Sequence, residues 1–503
     1  MTDRLVVRPD TYYDSVTLML ASRDAEGVEG VTFAAAVTAT PVNLSLLTAQ
    51  GFSLADDNPG PNDLVVALRA GSDDAADAAE RAIADRLSGS ADIAVRAPGD
   101  IRPRSFRSAS RRNSDINLAF VSVPGRFATV EVAQALDAGL DVFCFSDGLS
   151  LNDEAALKKV AIDKGLLLMG ADCGTAIIDG VGLGFANAVE RGPIGVVGAS
   201  GTGIQEVTCL LDSTGLGISH AIGVGGRDLS GVVGGAMTMR GIELLDADES
   251  TSVIVVISKP PDGAVAGRVI EAAGRAHKPV VVGFLGGGGK HDDAPTNVAT
   301  VGSLEGAACE AARLEGIQIE TESPPSRQPT PGFVRGLFCG GSLCYEAMIL
   351  VAAMGRKVSS NVPIREEWRM AGVETSEGDT FIDFGEDELT AGRAHPMIDP
   401  TLRNERLRSE SHDPEVGAIV LDVVLGYGAH ADPAGDLVRV ISEALGRRDD
   451  LTIAVALCGA KGDPQRIDDQ VKQLSDAGAY VTRNSAQAAR VALSAVTTEN
   501  ADG

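Results

Sequence analysis

The sequence predicts a multi-domain α/β protein with parallel sheets, preceded by a small α/β domain. Three observations carry this. Short apolar runs alternate with helical patterns through residues 115–330, which is the signature of parallel β-α-β units. Several of those runs end in glycine-rich turns that open a helix, most clearly in residues 192–211, GPIGVVGASGTGIQEVTCLL. A chain of 503 residues is also too long for one core, so three or four domains are expected.

Within 192–211, residues 194–197 read as a buried strand, 198–203 as a turn, and a helix opens near Ile204. Gly198, Gly201 and Gly203 let the backbone turn sharply, and Ser200 and Thr202 can cap the helix or donate to an oxygen. Amide N–H groups and the positive end of the helix dipole then converge on one small volume, which suits a phosphate or a carboxylate. Residues 200–203 are therefore candidate anion ligands. No Lys stands at the Walker spacing, so this is not a P-loop. A plain strand-to-helix turn of any α/β protein has the same residues, and both readings stand at this point.

Composition narrows the partners. The net charge of −27 argues against nucleic acid and anionic membranes. Seven cysteines, at 144, 173, 209, 309, 339, 344 and 458, show no metal-ligand spacing and read as reduced core residues; no metal is expected. With no signal peptide and no apolar run of membrane length, the expectation is a cytoplasmic protein.

The first domain is expected at residues 1–100. Residues 16–21, 31–38 and 64–70 read as strands, a helix follows Pro41 through Leu44, Leu46 and Leu47, and residues 73–87 form an Ala-rich helix. This suggests a ferredoxin-like unit with a structural or regulatory role. A linker is expected at 101–114, where IRPRSFRSASRR carries five arginines in an acidic chain. It reads as a solvated linker or as a mobile basic arm for an acidic partner or an anionic ligand.

Strands at 118–123, 142–145 and 166–170 then lead into Pro124-Gly-Arg-Phe-Ala128, Ser146-Asp-Gly148 and Gly170-Ala-Asp-Cys173. Next come residues 192–202, Gly223-Val-Gly-Gly-Arg-Asp228 and Lys278-Pro-Val-Val-Val-Gly-Phe284. In this order and spacing the motifs resemble the α subunit of succinyl-CoA synthetase over about 200 residues, and within that superfamily the FdrA-type acyl-CoA synthetase proteins. The resemblance implies a truncated Rossmann-like, CoA-binding-type domain at 115–190 and a flavodoxin-like ligase domain at 191–322. It also implies that the counterpart of residues 200–203 faces the phosphate of a phosphohistidine. Gly226, Arg227 and Asp228 become substrate-binding candidates, with an Asx-turn as the other reading of Asp228.

The departures from the family pattern shape the functional expectation. Its first βαβ unit, with the glycine turn that takes CoA, is replaced by residues 1–100, so CoA binding is doubtful. The phosphohistidine loop is replaced by Leu285-Gly-Gly-Gly-Gly-Lys290, and His291 reads as a surface residue. Where the family has a carboxylate that orients the phosphohistidine, this chain has Ser258-Lys259-Pro260-Pro261. Lys259 is thus a catalytic candidate that would hold an anion directly, or else a solvated loop lysine.

A Pro-rich linker is expected at 323–332, a second flavodoxin-like ligase domain at 333–495 and a flexible tail at 496–503. Gly340-Gly341-Ser342 repeats the strand–turn–helix pattern as a second anion cradle. Phe381-Ile-Asp-Phe-Gly385, and residues 419–425 leading to Gly426-Tyr-Gly-Ala-His430, resemble the carboxyl-terminal domain of the synthetase β subunit. The resemblance makes Gly426 and Gly428 the start of another phosphate-facing helix, with His430 beside it. His395, in Ala391-Gly-Arg-Ala-His395, and Arg393 are further candidates; each also reads as an ordinary cap, packed ring or surface residue. The β subunit's ATP-grasp domain has no counterpart.

Three functions follow. The first is a subunit of a carbamoyltransferase acting on carbamoyl phosphate and oxamate in purine-ureide catabolism, as the FdrA-type resemblance implies. The second is an ADP-forming acyl-CoA ligase subunit that borrows an ATP-grasp chain and phosphorylates His395. The third is a scaffold for partner subunits. All three make the chain part of an oligomer that meets a small acyl phosphate or carboxylate.

Overall fold

A computed structural model describes residues 2–11, 13–53, 59–61, 63–89, 103–286, 294–320 and 329–497. His291 and most of the 323–332 stretch lie outside the described residues. The chain forms two compact units, one of Met1–Arg102 with Phe384–Leu402, the other of Pro103–Asp383 with Arg403–Gly503.

In the first unit, strands Thr2–Arg8, Leu64–Ala70 and Val31–Thr38 form an antiparallel sheet in that spatial order. The third strand in sequence lies between the first two, which is the split βαβ arrangement of ferredoxin-like folds. Residues 16–21, expected as a strand, belong instead to the helix Ser15–Glu26. The Asp14 carboxylate accepts the Thr17 amide at 2.9 Å and starts the helix, and Leu18, Ala21 and Ala25 make its buried stripe. The β-branched pair Val16 and Thr17 sits at the helix start, where the cap overrides its strand preference. The first strand, Thr2–Arg8, is additional to the sequence reading.

The segment Phe384–Leu402 packs within this unit. Asn43, 1% exposed, donates to the Gly392 carbonyl at 3.2 Å and accepts from Arg393 at 3.2 Å. Gly392 has φ +71°, and a Cβ there would meet Thr40.

The second unit holds three sheets that bear on the site. Strands Leu118–Val121, Asp141–Cys144 and Leu168–Met169 are parallel neighbours. The expected basic linker folds in part as the helix Phe106–Arg112, started by a Ser105–Ser108 capping box. A seven-stranded sheet runs Val298–Val301, Val280–Phe284, Val253–Ser258, Ile194–Ala199, Ile218–Gly223, then the hairpin Thr175–Ile178 and Val181–Gly184. Its first five strands are parallel and in flavodoxin-like order. Val253–Ser258 is buried along its whole length, as a strand covered on both faces must be.

A six-stranded parallel sheet runs Val358–Ser360, Asp379–Asp383, Phe333–Phe338, Val416–Val424, Thr452–Cys458 and Tyr480–Thr482. Thr330–Pro331 pairs in parallel with Val496–Thr497, so those two residues of the expected tail are sheet-bound. All seven cysteines are free, six of them buried.

Candidate functional site

In open parallel sheets, ligands sit beyond the carboxyl ends of the strands where the strand order reverses. In the seven-stranded sheet that point lies between Ile194–Ala199 and Val253–Ser258, paired through Ala199 and Ser258. The first strand leads to Ser200 and the helix Gly201–Ser213, the second to Lys259. Ser200 caps this helix, its Oγ accepting the Gly203 amide at 2.9 Å. The helix thus begins at Gly201, three residues before the expected Ile204, and Gly201 needs no positive φ.

The six-stranded sheet presents a matching start. Phe333–Phe338 leads through Cys339 and Gly340 into the helix Gly341–Ala353. The two helix starts face each other, with Ser200 Oγ 2.5 Å from Ser342 Oγ. A Cβ on Gly340 would lie 2.8 Å from Thr202 Cγ2, so glycine is what permits this approach.

A Cβ on Gly341 would lie 2.9 Å from Lys259 Nζ and 2.6 Å from Asp383 Oδ2. Lys259 also stands 4.9 Å above the Tyr345 ring. Lys259 is therefore half-buried at the meeting point of two positive helix ends, and the solvated-loop reading is set aside. Asp383, from the other half of the unit, brings a carboxylate to the same helix start. That residue lay inside the Phe381-Ile-Asp-Phe-Gly385 motif without being given a role.

The two cradles differ. Cys339 and Gly340 donate their amides to the Asp422 carboxylate at 2.7 and 2.8 Å. Asp422 is fully buried and its main-chain oxygen accepts from Arg403 Nη1 at 2.5 Å, with Asp422 Oδ1 3.7 Å from the same nitrogen. Gly340 thus has its N–H committed inside the protein, which removes it as a ligand donor. The helix Gly341–Ala353 itself starts without a side-chain cap.

A shallow cleft opens at the Ser200 turn, lined by Asp172, Thr175, Ser200, Gly201, Gly225 and Gly226 among others. Cys173 also lines it; burial pushes its thiol up to about 12, so it is no nucleophile.

Other candidates fall elsewhere. Asp228 is fully buried, accepting from Lys158 at 2.8 Å and from the Thr238 amide and hydroxyl at 2.9 and 2.7 Å. It holds helices together and faces no ligand. Arg227 donates to the Leu149 carbonyl at 2.9 Å and pairs with buried Glu154 at 2.9 Å. Gly426 and Gly428, both at positive φ, make a turn that opens no helix; Gly426 exchanges two hydrogen bonds with Gln465. The nearby helix is Pro433–Arg447, capped by Asp432. His430 Nδ1 accepts the Asp432 amide at 3.1 Å and its Nε2 lies 3.4 Å from Asp436, so it is a packed, capping ring. Arg393 and His395 belong to the first unit. Burial pushes the His395 imidazole down to about 4, and its Nδ1 accepts the Met397 amide at 3.2 Å.

Comparison with known proteins fits this architecture. A CoA-ligase family model matches residues 337–495, a CoA-binding domain model residues 189–286, and an AllF heavy metal-associated domain model residues 1–98. The CoA-binding match spans the Ser200 turn. The name of the third match implies a metal, but residues 1–98 contain no Cys and no His. Nor do the described residues hold any cluster of three His, Cys, Asp or Glu fit for an ion. The soft-ligand set of a heavy-metal site is missing, so these residues do not fit one.

The chain is 29% identical over 184 residues to subunit alpha 1 of a succinate–CoA ligase [ADP-forming] from Archaeoglobus fulgidus, covering 36% of this chain and 60% of that protein. It is 32% identical over 155 residues to the corresponding alpha subunit of Aquifex aeolicus, covering 29% and 49%. A solved acetyl-coenzyme A synthetase from Ca. Korarchaeum cryptofilum aligns at 17% identity over 80% of this chain and 86% of that one, with a TM-score of 0.34. Among the described residues no helix is long and apolar enough to cross a membrane. The uncharacterized protein YahF of Escherichia coli (strain K12) is 40% identical over 506 residues, covering 96% of this chain and 97% of that one. With that match running end to end and ligase and CoA-binding domains inside it, the chain belongs with YahF to the acyl-CoA ligase superfamily of succinyl-CoA synthetase.

Proposed function

We propose that this chain binds an acyl phosphate at the Ser200 turn and promotes transfer of its acyl group, working with partner subunits. The observation that carries the reading is Lys259 set beside two helix starts that face each other. The phosphate would take the first amides of Gly201–Ser213, with Lys259 neutralising its charge. Catalysis would then be positioning, plus stabilisation of charge as phosphate leaves. In the finer form of this reading the acyl phosphate is carbamoyl phosphate and the acceptor is oxamate, as in the FdrA-type resemblance. The test is calorimetric titration with carbamoyl phosphate and with inorganic phosphate. Phosphate release is then followed after adding oxamate and the candidate partner subunits. Saturable binding abolished by Lys259→Ala supports the reading; no binding of either anion removes it.

The family matches favour a second reading, a subunit of an ADP-forming acid–thiol ligase. That activity would require CoA binding and a phosphorylated histidine. Buried, with its Nδ1 taken by the Met397 amide, His395 is poorly suited to carry the phosphoryl group. Micromolar CoA affinity, or acid-labile phosphate on the protein after incubation with ATP and a grasp-domain partner, would move the assignment to the ligase.

A further inference from the structure

The two helices that meet at Ser200 and Ser342 each carry a buried carboxyl group at the same depth. Glu206 lies five residues after Gly201, and Glu346 five residues after Gly341. Their exposures are 0% and 1%. Each reaches into the opposite half of the unit. Glu206 accepts the Ser485 amide at 2.9 Å and its hydroxyl at 3.1 Å, at the start of the helix Ser485–Ala495. Glu346 accepts the amides of Leu304 at 2.7 Å and Glu305 at 3.3 Å, at the start of the helix Leu304–Leu314. Ser485 Oγ also hydrogen-bonds Glu346. The arrangement is reciprocal: each ligase-like domain caps the other's last helix.

The two carboxyl groups also share the Ser485 hydroxyl, which has one hydrogen to donate. With both carboxyl groups ionised, one of these two contacts would bring two oxygens together with no hydrogen between them, so the pair holds a proton. The other ionisable neighbours do not replace it. Arg490, the cation near the pair, is engaged by Glu305 at 2.9 and 2.5 Å. The Cys458 thiol faces Glu206 and adds no positive charge. Burial and the neighbouring carboxylate hold Glu206 well above the usual carboxylate range.

We propose that Glu206 and Glu346 form a proton-held latch between the two ligase-like domains, shut while the pair keeps its proton and released when the proton leaves. Opening exposes both groups to water, where both ionise. Each opening event then expels one proton, and the ratio of open to shut forms rises about tenfold per pH unit above the ordinary carboxylate pKa. The latch sits below the Ser200–Ser342 contact on the same two helices, so its release loosens the paired helix starts of the site.

Hydrogen exchange on the full chain tests this. Protection factors, corrected for intrinsic exchange, are measured between pH 6 and 8 for the amides of Leu304, Glu305 and Ser485. In the wild type they should fall about tenfold per pH unit. In Glu206→Gln, whose amide supplies the missing hydrogen without titrating, they should stay level. If Glu206→Gln does not fold, Glu346→Gln removes the titration equally well and should show the same level profile. Level protection in the wild type, or an equal slope in the folded variant, overturns the latch. Neither result depends on whether the Ser200 turn binds an acyl phosphate.

Discussion

Lys259, just after the strand Val253–Ser258, and Asp383, at the end of the strand Asp379–Asp383, come from the two halves of one unit and both reach the start of the helix Gly341–Ala353. Each strand lies beside the one that feeds a helix start, Val253–Ser258 beside Ile194–Ala199 and Asp379–Asp383 beside Phe333–Phe338. Asp383 Oδ2 and Lys259 Nζ lie 2.6 and 2.9 Å from the place of a Cβ on Gly341, so a phosphate held by Lys259 would compete with this carboxylate.

Removing the cation should cost most of the affinity. Lys259→Ala is expected to weaken phosphate or carbamoyl phosphate binding by about 1.5–3 kcal/mol, the range of a charge-assisted hydrogen bond. Isothermal titration gives the number directly. Unchanged affinity would mean the turn is only a turn, and the scaffold reading would lead.

Removing the competitor should do the reverse. Asp383→Asn keeps the shape and deletes the negative charge beside Lys259, so anion affinity should rise by about 1 kcal/mol or more. A fall in affinity would instead make Asp383 part of the ligand's own hydrogen-bond set.

Crowding the cleft is the third route. At Gly201 a Cβ would sit 3.3 Å from Thr175 Oγ1, close but tolerable. The larger Gly201→Val would project branches into the cleft that Gly201 and Thr175 line. Anion affinity should drop at least as far as in Lys259→Ala. Because valine costs helix propensity only at a terminus here, the melting temperature should move by a few degrees at most.

How much of this was legible follows from what each signal depends on. The fully buried parallel strands stand out because they are apolar runs between glycine turns, and residues 194–197 of Ile194–Ala199 are legible that way. The Ser15–Glu26 helix was misread because two β-branched residues at its start outweighed the Asp14 cap. Asp383 and Asp422 looked alike in sequence, as single acids at strand ends. Only the docking of two domains decides that one meets Lys259 while the other meets its own backbone amides. Glu206 and Glu346 were invisible for the same reason. A Glu in a helix reads as surface until its partner helix is known.

The first unit should respond to acid through His395. Burial pushes its imidazole down to about 4, below the ordinary 6.5, so the folded form holds it neutral while the unfolded chain binds a proton. Stability is then complete above pH 6.5 and is lost as pH falls towards 4, by at most about 3 kcal/mol. His395→Gln should be less stable at pH 7 but should lose less on acidification, as chemical denaturation at the two pH values would show. Equal losses in both proteins would place the acid sensitivity elsewhere.

Asp422 and Arg403 hold the turn that leads into the helix Gly341–Ala353. Asp422 is buried with three claims on it, from the Cys339 and Gly340 amides and from Arg403. Asp422→Ala leaves two buried amides without their acceptor and the buried Arg403 guanidinium without its counter-charge, so a destabilisation of about 3–5 kcal/mol is expected. Adding Arg403→Met to it removes the stranded charge, and the double variant should recover part of that loss. The anion readout separates this from simple unfolding. With Asp422 gone, the amides of Cys339 and Gly340 become available beside Lys259 and the facing Ser200 turn. The double variant, where it folds, should therefore bind inorganic phosphate at least as tightly as the wild type. If its affinity collapses although its melting curve stays cooperative, Asp422 must act by aiming the Gly341–Ser342 start at the ligand, and the second helix is a working half of the site.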